Sequence, residues 1–149
     1  MAKIDPKSIF SSAESFHLGA KIILKSAEKQ MMDPQSTTFQ LPILPYITNM
    51  SFSLELYLKC LLEIENVNKP RTHDIAVLYS NLSNNIKSRV SNNVPRYREL
   101  EDSLEEISNA FEEWRYSYEK EKLGIDTGKI NKAITIFRDL IIEIHPEWV

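Results

Sequence analysis

Ser53-Leu54-Glu55-Leu56-Tyr57-Leu58-Lys59-Cys60-Leu61-Leu62 is apolar on nearly every side of a helix, yet carries one Glu and one Lys four residues apart. A helix apolar all round belongs in the middle of a bundle, shielded by other helices. Its partial alternation could also suit a strand, but the segment extends for more than twenty residues from about Pro45 to Asn66 and ends in helix formers. Glu55 and Lys59 are spaced to pair along the helix. Phe52, Leu58 and Leu62 surround Glu55 at helical spacing, so the carboxylate needs partners, because an unpaired buried charge is very costly.

Outward from this helix, the prolines at 6, 34, 42, 45, 70, 95 and 146 mark where periodic segments begin and end. Before it, Asp5 caps and Pro6 opens a first helix to about Lys29, with an apolar stripe of Ile9, Ala13, Phe16, Ala20, Ile23, Leu24 and Ala27. Gly19 interrupts that helix at some cost in propensity and marks a close approach to a neighbour. After it, a third helix begins near Asp74 and carries Ile75, Leu78, Leu82 and Ile86. A fourth runs from Tyr97 to about Lys122, where Tyr97, Leu100, Leu104, Ile107, Phe111, Trp114 and Tyr118 recur at steps of three and four. A fifth starts at Asp126 or Thr127, buries Ile130, Ala133, Ile134, Phe137, Leu140, Ile141 and Ile144, and stops at Pro146. The long loops are placed at Met31 to Leu44 and Ser88 to Pro95. The expectation is one domain over residues 1–149: an all-α, antiparallel up-and-down bundle of about five helices.

Composition narrows the function. The chain has 149 residues, 42% of them hydrophobic, enough for a real core. A net charge of −3 argues against broad electrostatic capture of nucleic acid, although it leaves room for a local basic patch. The acidic run Glu99-Leu100-Glu101-Asp102, with Glu105 and Glu106, reads as a solvated face. The single Cys60 sits in the apolar helix and reads as core. With no signal sequence, membrane span or possible internal disulfide, the expected location is the cytoplasm. His17, His73 and His145 are far apart, and neither a His-x-x-x-His nor a glycine-rich phosphate loop occurs, so no metal or cofactor is expected.

Three segments carry a family resemblance: the central helix with Glu55 and Lys59; His73-Asp74-Ile75-Ala76-Val77-Leu78; and Phe111-Glu112-Glu113-Trp114-Arg115-Tyr116-Ser117-Tyr118-Glu119. In this order and at these distances the chain resembles prokaryotic HEPN domains, over most of its length. The resemblance implies a helical bundle that dimerises, in a bacterial stress-response, phage-defence or toxin–antitoxin-like setting. Its implied partners are a second copy, a nucleotidyltransferase-like protein or RNA. Active members of the family are metal-independent ribonucleases with an Arg, four to six residues, then a His, completed across a homodimer. Here the positions after Arg115 where that His would fall are Lys120, Glu121 and Lys122, none of which replaces an imidazole near neutral pH.

Arg138 and His145 do match the spacing, but six arginines and three histidines meet so loose a pattern easily by accident. They stand as the catalytic candidates of a ribonuclease reading. His73, at the cap of the third helix, and Arg115 with Glu119 supply a noncanonical alternative. Glu55, Lys59, Arg115 and Glu119 are expected to form one network between the second and fourth helices. With His73 and Tyr116, which falls off the packing seam, they make the candidate binding set. The function expected is a non-catalytic module that binds a protein partner or RNA, with the ribonuclease as its rival.

Overall fold

The computed structural model describes residues 3–35, 43–94, 97–114 and 126–149. Among them are six α-helices, one short 3₁₀ turn and no strand. The helices are α1 (Pro6–Met32), α2 (Ile43–Ile64), α3 (Ile75–Ser80), α4 (Asn84–Asn93), α5 (Tyr97–Trp114) and α6 (Thr127–Ile144), followed by the 3₁₀ turn Pro146–Trp148.

Local chemistry accounts for the boundaries. Asp5 caps α1 by accepting from the Lys7 backbone N–H, with Pro6 at the first helical position. α2 opens two residues before Pro45, which its first turn tolerates because N–H groups there have no helical acceptor. It stops without proline or glycine. Asn66 takes the left-handed conformation (φ 55°), and the N–H groups of Asn66 and Val67 turn back onto the carbonyls of Glu63 and Leu62. These two bonds are the Schellman pattern, which satisfies carbonyls that a helix end leaves open. Asp74 caps α3 through the N–H groups of Ala76 and Val77, and Asp126, not Thr127, caps α6.

The expected third helix is in fact two. Ser83 breaks it: its hydroxyl accepts from the Ile86 N–H, while its own N–H and O–H are held by the Glu65 carboxylate at the end of α2. α4 then occupies most of the stretch expected to be the loop Ser88 to Pro95, burying Ile86 and Val90 one turn apart. The continuation of the fourth helix to Lys122 lies outside the described residues.

α2 is the hub. It packs most extensively against α1, then against α6 and α3. Leu54, Leu58, Leu61 and Leu62 are fully buried, each worth about 1.5–3 kcal/mol of burial. α1 packs against α2 and buries Ala13, Ala20 and Ala27, seven residues apart. At Gly19 a Cβ would come to 3.3 Å from the Asn49 amide nitrogen, so the two helices do approach closely there. The expected α1 stripe is displaced at its edge. Phe10 is buried, whereas Phe16 and Leu24 are each 37% exposed, because α1 turns its alanines to the core and leaves these two on its flanks. On α5, Leu100, Leu104, Ile107 and Phe111 are buried, and Glu99, Glu101, Asp102, Glu105 and Glu106 line the exposed face.

Candidate functional site

Glu55 is buried, 6% exposed, on α2. Its Oε1 accepts from Lys59 Nζ at 2.6 Å and faces His73 Nδ1 at 2.7 Å. The Glu–Lys pair follows from their spacing along one helix face. The His73 contact joins the α2–α3 connection to the same oxygen. The His73 side chain is 68% exposed and that of Lys59 25%, so a buried carboxylate holds two cation-forming groups that reach the surface. Asp74, beside His73, accepts from Ser108 Oγ of α5 at 2.6 Å as well as capping α3. That bond brings α5 to the edge of the cluster. Arg115, Tyr116 and Glu119, the remaining members of the expected network, lie outside the described residues.

Arg138 and His145 are drawn to different partners. Arg138, on α6, places Nε 2.6 Å from Glu14 Oε1 and Nη2 3.0 Å from Glu14 Oε2. His145 is not on the helix. It is the C-cap, with φ −128° and ψ 68°, so a seven-residue helical step does not set the two side chains on one face. Its ring contacts Glu147 at 2.8 Å and stacks on Trp148 with centroids 4.1 Å apart. Trp148 in turn packs on Phe10, tying the end of the described chain to α1.

A second polar cluster escaped the sequence reading. Glu14 Oε1, already bound by Arg138, also accepts from the Tyr57 hydroxyl at 2.5 Å. Three helices therefore meet at one carboxylate: α1 supplies it, and α2 and α6 supply the donors. Burial alone would raise the Glu14 pKa, but the Arg138 guanidinium and the Tyr57 hydroxyl outweigh it and hold it below the usual carboxylate value. Burial, then the Glu14 carboxylate, push the Tyr57 phenol far above its ordinary value. One turn beyond Glu14, His17 meets the Tyr57 ring edge-on. Burial lowers its pKa, Lys21 adds to the effect, and Glu14 opposes it. The available signal was Tyr57 itself: a tyrosine inside an apolar helix needs a partner for its hydroxyl.

Cys60 is buried, with Sγ 3.3 Å from the Pro6 carbonyl, and burial pushes its thiol up to about 12. Among the described residues no group of three His, Cys, Asp or Glu side chains is placed to hold a metal ion. No described helix is long and apolar enough to cross a membrane. Between α5 and α6 the described residues leave a groove of about 700 Å³, floored by Leu100, Ala133 and Ile136. Acidic residues of α5 form one rim and Lys129 and Lys132 the other, so the groove selects no single ligand charge.

In comparisons with known proteins, the family model of the HEPN domain matches residues 47–144. The match covers α3 to α6 and α2 from Ile47, and leaves α1 outside. Searches of curated proteins and of solved structures gave no match.

Proposed function

Because the chain belongs to the HEPN domain family, we propose that it is a non-catalytic binding module of a bacterial stress-response, phage-defence or toxin–antitoxin-like system. HEPN domains often occur in toxin–antitoxin and defence systems and commonly dimerise. In this reading the chain acts as a cytoplasmic homodimer. It engages a protein partner, such as a nucleotidyltransferase-like protein, or RNA, through the surface around His73, Lys59 and the segment that carries Arg115, Tyr116 and Glu119.

One observation carries the non-catalytic part. Arg138 and His145, which match the Arg–His spacing of the active ribonucleases, have separate partners: Arg138 is gripped by Glu14 and His145 by Glu147 and Trp148. A general acid–base pair must reach the same phosphate, and these two side chains face different partners on different elements.

A second reading, a metal-independent ribonuclease acting across a homodimer, draws on His73. With Nδ1 on the buried Glu55 carboxylate, the exposed ring turns Nε2 outward, the orientation a carboxylate gives to a catalytic imidazole. One experiment separates the two. Purified protein is incubated with labelled RNA in the presence of a chelator, beside His73→Ala and His145→Ala. Absence of cleavage, together with RNA or partner binding that weakens in folded His73→Ala, supports the binding module. Cleavage lost in His73→Ala transfers the assignment to the ribonuclease.

A further inference from the structure

We infer that Arg138 and Tyr57 form an oxyanion site for a phosphate group of an external ligand, and that the Glu14 carboxylate is its built-in occupant. This inference rests on contacts among α1, α2 and α6 and does not depend on the binding surface proposed around His73.

The arrangement has the features of a receptor. Three donor hydrogens converge on one carboxylate: the Tyr57 hydroxyl at 2.5 Å and Arg138 Nε at 2.6 Å on one oxygen, and Arg138 Nη2 at 3.0 Å on the other. A planar guanidinium fork matches the oxygens of carboxylates and phosphates alike, so what holds Glu14 also suits two oxygens of a phosphate. The Tyr57 donor is positioned in advance. The Tyr57 residue is fully buried and its ring lies 6.0 Å from that of Phe10, so its hydroxyl has little freedom. Arg138 rises from α6 beside the buried Phe137.

The occupant is the loose member. Glu14 and Arg138 side chains are 31% and 30% exposed, so water reaches the outer side of the pair. Glu14 lies in the middle of a helix, and its carboxylate leaves the site by side-chain rotation without backbone movement. Water screens the outer side of the pair, so a more highly charged phosphate can compete with the carboxylate for both donors. With Glu14 turned aside, the charged groups acting on the position are Arg138, the nearby Lys21 and, on the opposing side, Asp139. As an intramolecular competitor Glu14 weakens external phosphate in the resting protein, and anything that draws it away uncovers the site.

The test is Glu14→Gln, which keeps the side-chain length and removes the charge. Wild type, Glu14→Gln and Glu14→Gln/Arg138→Gln are titrated with inorganic phosphate and with a short single-stranded RNA, following the backbone amide resonances by NMR in all three and the Arg138 Nε–Hε resonance where Arg138 is present. The expected result is at least tenfold tighter phosphate binding by Glu14→Gln than by wild type, abolished by Arg138→Gln. A further gain for the RNA identifies a phosphodiester as the source, and none identifies a small phosphate. An Arg138 resonance that phosphate leaves unmoved in folded Glu14→Gln overturns the inference. Glu14→Asp, whose shorter carboxylate no longer spans both donors, serves if the Gln variant fails to fold. It should bind phosphate more tightly than wild type, and equal or weaker binding overturns the inference as well.

Discussion

Replacing Glu55 by Gln tests whether the buried carboxylate fastens the α2–α3 connection to the hub helix. The change preserves shape and leaves a carbonyl oxygen to accept, so what it removes is charge. In the folded protein that charge has two partners on one oxygen, Lys59 Nζ at 2.6 Å and His73 Nδ1 at 2.7 Å. A hydrogen bond to a charged group contributes about 1.5–3 kcal/mol when both ends are out of water. Here only the acceptor is buried. The Lys59 and His73 side chains, 25% and 68% exposed, regain solvent when the pairing weakens, which lowers the loss to about 1–2 kcal/mol for both together. In a chain of 149 residues a loss of that size lowers the melting midpoint by about 2–8 °C. The assay is urea unfolding followed by far-UV circular dichroism on wild type, Glu55→Gln, His73→Ala and the double variant. The cycle should return a coupling of about 0.5–1 kcal/mol between Glu55 and His73. A Gln variant as stable as wild type refutes the idea that this carboxylate anchors the connection. A loss above about 4 kcal/mol refutes the idea that its partners escape to water.

Acid should weaken the fold in two stages. His17 binds protons less readily folded than unfolded, so stability falls first as pH drops below its ordinary value of 6.5, and His17→Asn should flatten that limb of a stability–pH curve. Glu14 has a folded pKa below its ordinary 4.5, so its contribution is present above that value and is lost as pH falls through the folded one; Glu14→Gln should remove this second limb. Cys60, with its thiol near 12 and no exposed surface, should resist thiol reagents at neutral pH until urea unfolds the chain, and rapid labelling of native protein would contradict its placement. Ser83→Ala removes the α4 cap and the hydroxyl contact to Glu65 while keeping the backbone N–H contact, and should cost about 1–2 kcal/mol by urea unfolding.

What could be read in advance followed the range of the interaction. Asp5 with Pro6, Asp74 and Asp126 announce helix starts because a cap engages N–H groups two or three residues on. The α5 seam from Leu100 to Phe111 was legible for the same reason, since helical period alone sets which face is buried. The break at Ser83 was not, because half of what holds it is Glu65, eighteen residues earlier and just past the end of another helix. The candidate site divides in the same way. Glu55 and Lys59 are neighbours by spacing, whereas His73 reaches Glu55 only after the chain has turned at Asn66, a left-handed residue that no proline or glycine marks. Glu14 and Arg138 are 124 residues apart, so no local pattern could pair them. Burial was nevertheless a usable clue: a carboxylate or phenol on a helix face that must be covered requires a partner from elsewhere, and both Glu55 and Tyr57 found theirs on another element. For a bundle of this kind, the polar residues of the most apolar helix therefore point to where distant segments converge. His73 and the Arg138–Glu14 pair are the two sites at which binding experiments should begin.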